Sequence, residues 1–193
     1  MIGVDIKPQP RYAGDEFIQA DAMTFPLDGF DVIHASPPCQ VNSDLRHLWP
    51  DNDHLDLLTP IRERLMQQSA PWVIENVPGA PMRCDLMLCG SMLDLGCWCH
   101  DGVYRQLRRH RWFEASFPMG LLVPECQHRD QPVGVYGHGG GGEMTRGYKG
   151  TKLEYQEAMQ MPWATKAEIA QAIPPAYAFA IANRLRPVLA KAA

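Results

Sequence analysis

No stretch of about 18 consecutive apolar residues occurs in this 193-residue chain, so the sequence offers no membrane-spanning helix. Its start, Met1-Ile2-Gly3-Val4-Asp5, lacks the charged-then-apolar order of a secretory leader. Together these absences predict a cytoplasmic protein with no membrane partner. Positive charge is not in excess either. Lys and Arg number 18 against 22 Asp and Glu, a net charge of −4, which gives no general attraction to nucleic acid. Basic residues cluster locally instead, at Arg105, Arg108, Arg109 and Arg111 and again at Arg146, Lys149 and Lys152. There is no internal repeat. The six cysteines of a cytosolic chain stay reduced, so a disulfide scaffold is not expected and each thiol needs a reason in packing, metal binding or catalysis. What is present, 46% hydrophobic against 21% charged residues, suffices for one buried core.

Short apolar runs alternate with turn signals. Ile2–Ile6 reads as a strand closed by Pro8 and Pro10, Phe17–Ala20 as a second, Asp31–Ala35 as a third ending at Ser36-Pro37-Pro38, and Trp72–Ile74 as a fourth ending at Glu75-Asn76. Between the last two, Leu55, Leu58, Ile61 and Leu65 recur at helical spacing. Strands alternating with a helix and ending in polar residues predict an α/β fold with functional groups along one edge of a parallel sheet. From Pro81 to Gly150 the pattern dissolves into Cys-, His-, Gly- and Arg-rich sequence, with strand-like pieces at Arg111–Ala115 and Pro132–Tyr136 and a flexible Gly139–Gly142 run. Order resumes at Thr165, a capping box with Glu168, and a helix is expected from Ala176 to Leu185 after Pro174-Pro175.

Two constellations carry chemistry. Ser36-Pro37-Pro38-Cys39-Gln40 sets a cysteine just past a strand on a loop stiffened by two prolines, which suits a positioned nucleophile; taken alone, a cysteine is more often a small buried hydrophobe. Glu75-Asn76-Val77-Pro78-Gly79 follows the next strand and should bring a carboxylate and a carboxamide to the same sheet edge. A Pro-Cys-Gln turn followed one strand-helix-strand excursion later by Glu-Asn-Val resembles the paired catalytic motifs of the DNA cytosine-5 methyltransferases. Asp5 in Gly-Val-Asp-Ile and Asp21 in Ala-Asp-Ala resemble the acids that family places after its second and third strands, and Ala172-Ile173-Pro174-Pro175 resembles its closing motif. The likeness runs from about residue 2 to 186, in order.

The resemblance implies a Rossmann-like, S-adenosylmethionine-dependent methyltransferase fold acting on carbon 5 of cytosine in DNA, as restriction-modification or phage enzymes do. Carbon 5 of cytosine is a poor nucleophile. A thiolate must first add to carbon 6 while the ring nitrogen gains a proton, roles that fall to Cys39 and Glu75. An acid at this step must keep its proton near neutral pH, which burial favours, and Asn76 would orient it. The base must leave its stack. Arg109 and Arg111 match the family's Arg-x-Arg pair that holds the flipped cytosine, but the glutamine that should precede the pair by two residues is Leu107, with Gln106 one step off. A solvated basic face is the alternative. Asp5 would take the ribose hydroxyls, Ile6 would pack on the adenine, Asp21 would take its amino group, and Pro37 and Gln171 would complete the cofactor site. As isolated aspartates after short strands, Asp5 and Asp21 would otherwise be turn formers. Gln40, Ser43, Arg108, Arg146 and Lys149 would contact duplex DNA.

The chain divides on this reading into a catalytic core, 1–113, a small irregular target-recognition region, 114–150, and a helical part, 151–193, completing the core. It departs from the family in two places. The opening strand and Phe-x-Gly-x-Gly loop have no counterpart here, so the fold is expected to lack its first strand, to bind S-adenosylmethionine weakly and to self-associate through an exposed sheet edge. Ala170-Gln171 stands where the family has Gly-Asn. A catalytically impaired nucleic-acid-binding derivative and a tRNA cytosine-5 methyltransferase are the alternative functions. Cys97-Trp98-Cys99-His100 with Cys126-Gln127-His128 offers zinc ligands, but at a spacing that strains a tetrahedral site; packed thiols are favoured and no metal is assigned.

Overall fold

The computed structural model describes residues 1–38, 56–120, 125–135 and 147–192. It is a mixed α/β structure of small sheets and, among the described residues, four α-helices, and it divides into two compact units. None of the described helices is long and apolar enough to cross a membrane.

The first unit comprises Met1–Met82 with Glu114–Ser116. Strands β1 (Ile2–Asp5) and β2 (Glu16–Gln19) pair in parallel, Ile2 opposite Glu16 and Asp5 opposite Gln19. Strands β3 (Ile33–Ala35) and β4 (Trp72–Asn76) also pair in parallel, from Ile33 opposite Trp72 to Ala35 opposite Ile74. Parallel neighbours need a crossover, and helix α1 (Leu58–Met66) lies between them in sequence. The helical spacing read from Leu58, Ile61 and Leu65 is the buried stripe of α1, packed with Trp72, Ile74 and Ala80. Burying each such side chain contributes about 1.5–3 kcal/mol. All five residues of β4 are buried, as in a strand covered on both faces. Its start exchanges bonds with Ser116, the Trp72 N–H donating to Ser116 Oγ (2.9 Å) and the Ser116 N–H to the Trp72 carbonyl (3.1 Å). Arg62 reaches from α1 with Nε 2.8 and 3.0 Å from the two carboxylate oxygens of the fully buried Glu114.

The second unit comprises Arg83–Phe113 and Phe117–Ala193. Strand β5 (Leu86–Leu88) runs antiparallel to the first part of β8 (Arg111–Ala115), Leu86 opposite Phe113 and Leu88 opposite Arg111. Strands β6 (Gly96–Trp98) and β7 (Tyr104–Gln106) form a hairpin. Helices α2 (Lys152–Met159) and α3 (Lys166–Gln171) each begin in a complete capping box, Thr151 with Glu154 and Thr165 with Glu168. Helix α4 (Pro175–Ala192) opens on a proline, whose missing N–H is no loss at the first helical position, and buries Tyr177, Ile181 and Leu185.

The four N-terminal strands and β8 stand where the sequence puts them, to within two residues. The strand expected at Pro132–Tyr136 is reduced, in its described part, to single bridges from Val133 to Leu107 and Tyr148, because Pro132 has no N–H to extend a ladder. Helix α4 runs well past Leu185, and β5, β6, β7 and α2 were not anticipated.

Candidate functional site

Glu75 and Asn76 end β4, and both are buried, at 7% and 1% exposure. A carboxamide this deep must find partners for both its ends. Asn76 Nδ2 donates to the carbonyl of buried Pro37 (3.1 Å), and Asn76 Oδ1 accepts the Val77 N–H (2.9 Å). One side chain therefore fastens the end of β4 to the loop that leaves β3, two residues ahead of Cys39 in the sequence. Cys39, Gln40 and Ser43 themselves lie outside the described residues.

A cavity of about 380 Å³ opens in the same unit, lined among others by Asp5, Ile6, Asp21, Pro37 and Phe25. Four of the five residues expected around the cofactor thus meet on one concavity. The two acids also do local work. Asp5 Oδ1 accepts the Lys7 N–H (2.8 Å) and Oδ2 accepts from Gln9 Nε2 (3.2 Å). Asp21 Oδ1 accepts the Met23 N–H (2.8 Å) and its carbonyl accepts from the N–H groups of Thr24 and Phe25, so it shapes a turn as well as a wall. Two carboxylate oxygens offer about four lone-pair sites, so these bonds leave acceptor capacity over. Ile6 is 67% exposed, an apolar surface at the cavity's edge. The fifth residue, Gln171, ends α3 in the second unit and is exposed.

Arg108, Arg109 and Arg111 of the second unit each donate to main-chain carbonyls. Arg109 is buried, with Nη1 donating to the Val135 carbonyl (2.9 Å) and Nη2 to that of Ala170 (2.6 Å), while the Tyr177 hydroxyl donates to the Arg109 carbonyl (2.6 Å). This is the geometry of a strut. Arg111 Nη1 donates to the His110 carbonyl (2.8 Å). Arg108 Nη2 donates to the carbonyls of Arg129 (2.6 Å) and Asp130. Lys149 is exposed, and Arg146 lies outside the described residues.

The cysteines and histidines sort differently from the grouping suggested by the sequence. Cys97 and Cys99 face each other, Sγ to Sγ 3.9 Å, and burial, then the neighbouring Cys99, pushes the Cys97 thiol up to about 12. His100 turns to Glu154 and to the Tyr148 hydroxyl. Cys126 and His128 instead join Cys89, which follows β5, and His110, which precedes β8, and the four ligand atoms all lie within 4.8 Å of one another. Burial, the largest single influence, raises the Cys89 thiol, but bonds from His110, Ser91 and His128 outweigh it and bring it down to about 5. Sequence reading missed Cys89 and His110 because the ligands come from three separate segments with no local spacing to betray them.

No family model, curated protein or solved structure matches this chain.

Proposed function

We propose that the chain is a cytoplasmic DNA cytosine-5 methyltransferase with a Rossmann-like fold, using Cys39 as nucleophile and Glu75 as acid. The observation that carries this reading is the joint placement, in one unit, of a cavity walled by Asp5, Ile6, Asp21 and Pro37 with the Asn76 clamp from the Glu75 strand end to the Pro37 carbonyl. A nucleoside suits that cavity: its volume falls in the usual range for small-ligand sites, roughly 300–1,000 Å³, with apolar walls and a few acceptors. Asp5 would accept from the ribose hydroxyls, Asp21 from the adenine amino group, and Ile6 would cover the ring. S-adenosylmethionine held there supplies the methyl group that carbon 5 receives.

The chain's own residues do the rest. The Cys39 thiolate bonds to carbon 6 of a flipped cytosine as the Glu75 carboxyl gives its proton to ring nitrogen 3, which makes carbon 5 electron-rich enough to take a methyl group. Loss of the carbon 5 proton to a base and expulsion of the thiolate, with nitrogen 3 returning its proton to Glu75, restore both aromatic ring and enzyme. Asn76 keeps the two groups in register by holding the strand that bears one to the loop that leads to the other.

Expression in a bacterial host free of cytosine methylation tests this. Bisulfite sequencing should reveal 5-methylcytosine at a short recurring site, and Glu75→Gln should lower transfer about a hundredfold or more, since acid catalysis typically contributes 10²–10⁴. Unmethylated DNA alongside newly methylated tRNA would reassign the substrate to RNA, and methylation unaffected by Glu75→Gln would remove that residue from the chemistry.

A further inference from the structure

Four metal-ligating side chains in the second unit converge on one point outside the proposed methyl-transfer machinery. Cys89 Sγ stands 3.5 Å from His128 Nε2, Cys126 Sγ 2.7 Å from His128 Nε2, and His110 Nε2 3.3 Å from Cys126 Sγ. The His110 and His128 rings meet edge to face, 5.0 Å apart. We propose that Cys89, His110, Cys126 and His128 form a structural zinc site.

The spacing decides for a metal over chance packing. With zinc–sulfur bonds of about 2.3 Å and zinc–nitrogen bonds of about 2.0–2.1 Å, a tetrahedron sets sulfur and nitrogen ligands about 3.6 Å apart. Two of these three sulfur–nitrogen separations are already there, and the Cys126–His128 pair needs to open by less than about 1 Å. Two thiolates and two imidazoles in tetrahedral array select zinc among common divalent ions, and four protein ligands leave no open position for a reacting water, which marks a structural site. The two thiolates neutralise the divalent ion, their protons leaving to solvent as the metal–sulfur bonds form.

The surroundings are built for it. Ser91 Oγ donates to Cys89 Sγ (3.3 Å) and lies 3.4 Å from Cys126 Sγ. Gly90 lets this turn close, since a Cβ there would collide with the Leu107 carbonyl. Arg108 grips the carbonyls of Arg129 and Asp130, and the Arg129 N–H donates to Gln106 Oε1 (3.3 Å), so the segment that carries Cys126 and His128 is anchored on the far side of the ligands too. Ligand support of this kind fixes side-chain orientation before the ion arrives. Zinc would then tie the 125–130 segment to the ends of β5 and β8. A Cys89–Cys126 disulfide is the rival use of the same sulfurs, but it leaves two histidines aimed at them without purpose.

The full chain, expressed with added zinc and passed through a weak chelating resin, should carry about one zinc per chain by elemental mass analysis. Cobalt(II) added to stripped protein should give the visible bands of a tetrahedral ion with thiolate charge-transfer absorption, and zinc should abolish them. His128→Ala removes an exposed side chain and Cys126→Ser a half-exposed one; each should weaken zinc at least about tenfold. Cys84→Ser, at an exposed thiol apart from the cluster, should leave the stoichiometry unchanged. Zinc below about one tenth per chain with no cobalt spectrum overturns the assignment. So does undiminished zinc in both variants, or a Cys89–Cys126 disulfide in protein purified with zinc present. The cobalt spectrum of the unaltered chain decides even where a variant folds poorly, and none of these readouts depends on methyl transfer.

Discussion

Replacing Asn76 with alanine removes a side chain that joins the end of β4 to the loop leaving β3, and its cost can be worked from two bonds. The Pro37 carbonyl loses a donor at 3.1 Å and the Val77 N–H an acceptor at 2.9 Å, in a place where Asn76 is 1% exposed. A buried polar group left without its partner costs about 1–3 kcal/mol, so loss of both, softened by some water entry, should destabilise the chain by about 2–4 kcal/mol. The functional loss should be larger than stability alone explains. A loop freed at Pro37 lets Cys39 drift, and a misplacement of about 1 Å can slow a reaction about a hundredfold. Urea unfolding measures the first quantity, and the rate of covalent capture of 5-fluorocytosine DNA measures the second in conditions where the variant remains folded. Asn76→Asp separates the bonds, since it keeps the acceptor for Val77 but sets an oxygen against the Pro37 carbonyl. It should be slowed in capture as much as alanine. Wild-type stability and wild-type capture in Asn76→Ala would refute the clamp.

Arg62→Ala takes the guanidinium away from the fully buried Glu114 carboxylate and should cost about 2–3 kcal/mol by chemical denaturation, below the 3–5 typical of a buried pair because Arg62 is 31% exposed and water can reach the gap. Arg62→Met with Glu114→Leu should recover most of that loss; an equally unstable double variant would mean that the ion pair itself, not a buried carboxylate deprived of Arg62, matters. Glu154 accepts the N–H groups of Thr151 and His100, and although its burial raises the carboxyl, these bonds win and hold it at about 2 against an ordinary 4.5. A depressed acid stabilises the folded state above its unfolded value and loses that contribution as pH falls through the folded one. Stability should therefore drop between about pH 4.5 and 2, and Glu154→Gln should flatten that limb; an unchanged limb would show that Glu154 is not its source.

Where the sequence was informative, one local rule determined the structure. Leu58, Ile61 and Leu65 could satisfy only a helical stripe, and Trp72-Val73-Ile74 needed cover on both faces, so α1 and β4 were legible and with them the edge bearing Glu75 and Asn76. Asp5, Ile6 and Asp21 were legible as a group from their order ahead of Cys39, and the structure gathers them with Pro37 on one cavity. Helix α2 carries in Thr151 and Glu154 the same capping signal as α3, but it directly follows a glycine-rich stretch that reads as loop. Strands β5, β6 and β7, three residues each, are too short to show a period and exist through tertiary pairing. The partners of Arg109 were hidden for a similar reason: the carbonyls it bonds, those of Val135 and Ala170, are remote in sequence.

Covalent chemistry at Cys39 is open to trapping. Duplex DNA carrying 5-fluorocytosine, incubated with the chain and S-adenosylmethionine, should yield a denaturation-resistant protein–DNA adduct, because fluorine at carbon 5 cannot leave as a proton does and the thiolate is not expelled. Peptide mapping should place the bond on Cys39, and Cys39→Ser should form none. An adduct mapped to another residue, or one that persists in Cys39→Ser, would rule out Cys39 as the nucleophile.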